Sequence, residues 1–300
     1  MGTKQSKTIQ ANNSAIQVKS GDKEITLSHV KKIIHEAKAA FVFTGAGMSA
    51  SCGLPTFRGK EGFWNHYPPY RDIGISFYEL ATPNTFEADF SLALGFYGSR
   101  LQDYKETKPH VGYKLINDWL EALPRKGFIK TSNVDGLHFH DGYDRVHEIH
   151  GSINHWHCLR PECSTNHGYV NPPEVKIDRK TMRSNLPDSA YCEHCESPLR
   201  PAICMFEDWG YHSERSNKQA VRFSQFTAEI QDHPCVGVVL EIGAGSGIPS
   251  IRLAAENTSV STFFTHIVIN PEDDSDKYIR RKDVIYVIGD AEEAIIELLG

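Results

Sequence analysis

Apolar positions along this chain fall into two alternating rhythms. In Leu27 to Ala40, LSHVKKIIHEAKAA, they recur at helical spacing, with Ser28 as the candidate cap. Phe41-Val42-Phe43 is a short unbroken apolar run, the mark of a buried strand, and it enters the turn Thr44-Gly45-Ala46-Gly47. The alternation returns as a helix over 110–123 and a strand over 128–131. It resumes with helix 219–231, strand 236–242, helix 249–256, strands 262–269 and 284–288, and helix 290–299. Strands alternating with helices predict a mostly parallel sheet covered on both faces, a doubly wound α/β fold of Rossmann type.

Two stretches interrupt this pattern. Residues 61–105 are rich in aromatics, with WNHYPPY followed by two or three short helices, and residues 152–205 combine paired cysteines, histidines and prolines with little periodicity. Residues 20–60, 106–151 and 206–300 are therefore expected to build the Rossmann-like domain. The interruptions, 61–105 and 152–205, are expected to pack together as a smaller helical and zinc-binding domain. The ligand cleft would lie between the two, at the carboxyl ends of the strands. Residues 1–19 read as a disordered tail.

Composition narrows the function classes. The 300 residues are 40% hydrophobic and 23% charged, as in globular proteins, and a net charge of −6 argues against gripping nucleic acid phosphates directly. No apolar run approaches the roughly 18 residues of a membrane span, and the amino-terminal residues lack a secretory apolar region. The expected location is intracellular, cytoplasmic or nuclear. MGTKQS fits the N-myristoylation pattern at Gly2, which leaves a membrane contact open there. Seven cysteines suit no disulfide framework. Cys158, Cys163, Cys192 and Cys195 form two close pairs, and four thiolates would satisfy a structural Zn²⁺ with no open position. The first pair is wider than usual, which keeps His167 or His194 open as a substitute ligand. Cys52, Cys204 and Cys235 read as ordinary buried cysteines.

Two glycine turns carry the remaining chemistry. Gly45-Ala46-Gly47-Met48-Ser49-Ala50 satisfies G-x-G-x-x-[GA] directly after a strand, a pattern that brings backbone close to a pyrophosphate. A hydride-transfer enzyme would add a strand ending in an acidic residue about 20 residues later. Here that region is EGFWNHYPPYRD, which is no strand. The second turn, VLEIGAGSG over 239–247, looks alone like a methyltransferase loop, but it stands late in the chain with little sheet to follow.

Beyond the first turn the chain reads SASCGLPTFRG, then Thr131-Ser132-Asn133-Val134-Asp135-Gly136-Leu137-His138, then His150-Gly151 ahead of the cysteines. This ordered set resembles the sirtuin family of NAD-dependent protein deacylases. Gly45 to Arg58 matches the family's GAGxSxxxGIPDFR, Thr131 to His138 its TQNIDxLH, and His150-Gly151 its HG. Arg200-Pro201 and Phe206-Glu207 echo its RPxxVxFGE. The likeness runs from about Ser28 to Leu299.

The resemblance implies that an acyl-lysine protein or peptide is the partner, that NAD is consumed, and that the acyl group passes to ADP-ribose with release of nicotinamide. It makes His150 the general base, a role that suits an imidazole titrating near neutrality, with Asn133 and Asp135 beside the nicotinamide and its ribose. It places Gly45, Ala46, Gly47, Ser49, Phe57, Arg58 and Ser132 on the cofactor. Gly243, Gly245, Ser246, Asn270, Asp290 and Ala291 would hold its adenosine half. On that reading the two glycine turns are two edges of one NAD site. Three departures stand out: Thr56 replaces the family's Asp, Ser132 replaces its Gln, and Phe206-Glu207-Asp208 has no glycine. An ADP-ribosyltransferase or NAD hydrolase, and an NAD-binding sensor of low turnover, stay open as alternatives.

Overall fold

A computed structural model describes residues 16–20, 25–56, 59–245, 247–272 and 283–300. Gly2, Phe57, Arg58 and Ser246 lie outside the described residues. The chain enters through β1 (Gln17–Lys19), α1 (Leu27–Glu36), β2 (Ala39–Thr44) and the short α2 (Ala46–Ala50). The first interruption is five helices: α3 (Gly59–His66), α4 (Pro68–Asp72), α5 (Phe77–Leu80), α6 (Pro83–Ala88) and α7 (Phe90–Glu106). Then come α8 (Val111–Ala122), β3 (Gly127–Thr131) and β4 (Val146–Glu148). The cysteine module holds β5 (Gly151–Cys158), α9 (Pro161–His167), β6 (Ile177–Asp178), β7 (Arg183–Ser184) and β8 (Leu199–Ile203). The chain closes with α10 (Glu214–Asp232), β9 (Gly237–Ile242), α11 (Ser250–Thr262), β10 (Thr265–Asn270), β11 (Ile285–Ile288) and a last helix, α12 (Ala291–Leu299).

The main sheet runs β1-β11-β10-β9-β2-β3-β4. Its pairs are parallel except β1 with β11. The strand period of two assigns β2's side chains to opposite layers. Val42 packs with Val30 and Ile34 of α1, Ile116 and Leu120 of α8, and Ile295 of α12. Phe41 and Phe43 pack with Phe223 and Phe226 of α10 and Ile251 of α11. Chain order reverses between β2 and β9, which makes the carboxyl ends of these two strands the switch point where an open α/β sheet leaves a crevice.

Several local expectations are corrected. Thr26, not Ser28, caps α1, its Oγ1 accepting from the His29 amide at 3.3 Å. That helix stops at Glu36, because Ala39 and Ala40 already pair with β9. Gln17–Lys19, placed in the expected tail, pairs with β11. Three helices, α5, α6 and α7, follow WNHYPPY as expected, but WNHYPPY itself carries parts of α3 and α4, and α7 is not short: its 17 residues are buried at every position from Leu92 to Leu101, so it shows no amphipathic stripe. Of the three cysteines expected to be buried, Cys204 is exposed and Cys52 and Cys235 are half-buried.

The two interruptions lie against each other. A Cβ on Gly95 of α7 would stand 2.1 Å from the Met182 carbonyl, so only glycine permits this contact. Arg183 grips Asp89 with two hydrogen bonds of 2.6 Å, and Ser91 Oγ donates to the Ser184 carbonyl at 2.7 Å.

Candidate functional site

Both glycine turns sit at the switch point, backbone against backbone. The Gly45 amide donates to the Ile242 carbonyl and the Gly47 amide to the Gly243 carbonyl, each at 3.0 Å. A Cβ on Gly47 would lie 2.5 Å from Gly243 Cα, and a Cβ on Gly243 would lie 2.5 Å from Gly47 Cα. Gly243 also has φ +60°, a left-handed conformation that favours glycine. The GxG pattern therefore serves turn-to-turn contact. Ala46 opens α2 immediately beyond the contact.

The loop after β3 is bonded into this junction. Asn133 Nδ2 donates to the Gly45 carbonyl at 3.0 Å and to Ser49 Oγ at 2.8 Å. Ser49 Oγ donates to Asp135 Oδ2 at 2.6 Å, and the Leu137 amide donates to Asp135 Oδ1 at 2.9 Å. Burial raises the Asp135 carboxyl above the ordinary carboxylate range, with the Ser49 and Leu137 bonds opposing the rise. Beneath lies a second layer built on Thr44, to which motif reading gave no part. Thr44 Oγ1 donates to Thr131 Oγ1 at 2.8 Å and stands 2.8 Å from His138 Nε2. The Ser132 amide donates to the Thr44 carbonyl at 3.1 Å.

His150 follows β4 at the neighbouring strand end. Its carbonyl accepts from the Cys204 amide at 2.9 Å, while its Nε2 is enclosed with no hydrogen-bond partner among the described residues. Burial alone lowers its pKa from the ordinary histidine value. Gly151 is required beside it: φ is +80° and a Cβ would stand 2.0 Å from the Ala202 carbonyl. The strand after His150 is stitched to the Asn133–Asp135 loop, the Ile153 amide donating to the Val134 carbonyl at 3.0 Å. Asn154 Nδ2 adds a 3.4 Å bond to the Asp135 carbonyl. His147 and His157, close in sequence, are held by burial at about 4 and about 3, too acidic for a base working near neutrality.

On the other side of the turns, Asn270 Nδ2 donates to the Ala244 carbonyl at 3.1 Å. A Cβ on Gly245 would meet nothing within 4 Å among the described residues. Asp290 caps the last helix, Oδ1 accepting the Glu292 amide at 2.9 Å, and its Oδ2 accepts from Ser51 Oγ at 2.8 Å. Ala291 is buried next to it.

The FED departure has a physical account. Glu207 takes φ +54°, the left-handed backbone that a glycine would hold without strain. Asp208 turns inward and forms a fully buried pair with both terminal nitrogens of Arg200, while also accepting the Met205 amide at 3.1 Å.

The four cysteine sulfurs lie within 4.8 Å of one another, with Cys158–Cys195 at 3.4 Å and Cys163–Cys192 at 3.6 Å. A tetrahedral Zn²⁺ with Zn–S of about 2.3 Å sets its sulfurs about 3.8 Å apart, so the cluster fits the ion. Neither His167 nor His194 belongs to this cluster among the described residues; their rings stack on each other at 3.6 Å. Four thiolates close the coordination shell, so zinc here would hold the module together and leave no position for a substrate.

Known proteins resemble this chain in sequence and in fold. The Sir2 family model matches residues 45–227. An NAD-dependent protein deacylase of Aeropyrum pernix is 36% identical over 178 residues, 58% of this chain and 62% of the relative. One from Aquifex aeolicus is 35% identical over 163 residues, 54% of this chain and 59% of the relative. The matched stretch thus spans about six-tenths of these curated relatives. A solved Sir2 homologue–NAD complex superposes with a TM-score of 0.65 at 25% identity, covering 91% of this chain and 92% of that one. The family match takes in more than half of the 300 residues, and the chain belongs to the Sir2 family.

Proposed function

We propose that this protein is an NAD-dependent protein-lysine deacylase that passes an acyl group from lysine to ADP-ribose and releases nicotinamide. The observation that carries the reading is His150: an enclosed imidazole with its Nε2 unpartnered among the described residues, beside a loop whose Asn133 and Asp135 are locked to the first glycine turn. NAD supplies the electrophilic ribose carbon and the leaving nicotinamide. His150, neutral because burial disfavours its cation, is the group to accept a proton from a ribose hydroxyl. Asn133 and Asp135 border the nicotinamide and its ribose, with Ser49 fixing both side chains. The turns at Gly45–Gly47 and Gly243–Gly245, with Asn270, Asp290 and Ala291, would hold the rest of one NAD molecule. The names of the relatives support this reading, being NAD-dependent protein deacylases.

Among the described residues no helix is long and apolar enough to cross a membrane. The test is to incubate the pure protein with NAD and follow nicotinamide with and without an acetyl-lysine peptide. Release that requires the peptide is the expected result. Release independent of peptide would point to NAD hydrolysis, and binding without release to a sensor.

A further inference from the structure

The second glycine turn is backed by charges that the proposed chemistry does not use. Glu241 stands in β9, a central strand, with no exposed surface, and Arg252 of α11 is 1% exposed. Arg252 Nε donates to Glu241 Oε1 at 3.0 Å, and the same guanidinium donates through Nη2 to the Ala244 carbonyl at 3.2 Å. His266 of β10, fully buried, places Nε2 3.3 Å from Glu241 Oε2. Asn270 Nδ2 supplies a second donor to the Ala244 carbonyl.

Burying such a pair costs more than burying apolar residues of the same size, so stability alone does not account for it. Its geometric consequence is specific. Two donors occupy both lone pairs of the Ala244 carbonyl and fix the plane of the following peptide. In a trans peptide the N–H points opposite to the C=O. A carbonyl drawn inward therefore aims the Gly245 N–H away from Arg252. A Cβ at Gly245 meets nothing within 4 Å among the described residues, which leaves room beside this amide. We infer that Glu241 and Arg252 are positioning residues, an internal clamp that orients the Gly245 amide as a donor to the anionic, phosphate-bearing part of the cofactor. The inference rests on the NAD reading of the cleft.

The test compares wild type with Glu241→Met/Arg252→Met and Arg252→Lys. ADP-ribose is titrated by calorimetry, KM is measured separately for NAD and for acetyl-lysine peptide, and unfolding is followed by heat. The double variant replaces a buried ion pair by apolar side chains of similar volume and is expected to keep cooperative unfolding. Its Kd for ADP-ribose and its KM for NAD should rise about tenfold, while kcat and the peptide KM change less than twofold. Arg252→Lys keeps the charge for Glu241 but not the planar fork that reaches Ala244 as well. It should fold normally and still bind ADP-ribose several-fold more weakly. Folded variants that bind ADP-ribose within twofold of wild type would overturn the clamp and leave the NAD reading intact. A wild-type protein that binds neither ADP-ribose nor NAD would overturn both.

Discussion

Replacing Gly243 by alanine separates the two glycine turns, and the structure gives the size of the effect. At φ +60° an L-residue carries about 1–2 kcal/mol of backbone strain. The added Cβ would also stand 2.5 Å from Gly47 Cα and 2.6 Å from the Met48 nitrogen, both backbone atoms that no rotamer change can move. Overpacking of this kind costs about 1–3 kcal/mol. The sum is roughly 2–5 kcal/mol, which for a chain of this length lowers Tm by roughly 3–8 °C. Gly142→Ala is the control: φ is +78° but a Cβ there meets nothing within 4 Å among the described residues, so strain acts without contact. Its Tm should fall by roughly 2 °C. Scanning calorimetry reads the stabilities, and ADP-ribose titration reads the cleft. Gly243→Ala should weaken binding by more than tenfold, with Gly142→Ala unchanged. Equal effects of the two variants on Tm and affinity would refute the reasoning that the turns form one junction.

Other predictions concern protons and metal. Burial holds His150 below the ordinary histidine pKa of about 6.5, so the acid limb of kcat/KM should fall below that pH; a limb at or above it contradicts the assignment. His150→Ala should cost about 10²–10⁴ in turnover. His138, His147 and His157 have folded pKa values of about 3, 4 and 3. Each is depressed, so the unfolded chain takes up protons first, and stability present above about pH 6.5 is lost as pH falls toward those values. Between pH 7 and 5 the loss is at most about 2 kcal/mol per histidine. Asp135 and Glu148, whose carboxyls burial raises, offset part of it. Denaturant melts that strengthen on acidification to pH 5 would overturn this. Metal analysis should return about one zinc per chain, and Cys192→Ser should lose both the metal and several degrees of Tm; full metal content in that variant would refute the four-cysteine site.

The sheet was legible because its strands are short, apolar and separated by helices of regular period, so β2, β3, β9, β10 and β11 lie close to where the pattern puts them. The cysteine cluster was legible from spacing, since four thiols in two pairs suit one ion better than disulfides. Elements that depend on tertiary burial were not. The α7 helix is enclosed on all sides and shows no polar stripe, and Gln17–Lys19 is a strand through its partner β11. In the site, GxG spacing announced the first turn but not its backbone contact with Gly243. Glu241 stands in the sequence only as the one acidic residue of VLEIGAGSG. Nothing in the sequence pairs it with Arg252, eleven residues on, because that pairing exists only once α11 folds back over β9.

The most direct test of the deacylase account is the stoichiometry of its products. Wild type is incubated with NAD and an acetyl-lysine peptide, and every species is counted by mass. The account predicts one nicotinamide and one O-acetyl-ADP-ribose for each lysine deacetylated, with no label on the peptide. Free ADP-ribose with the acetyl-lysine intact, or ADP-ribose covalently attached to the peptide, would contradict it.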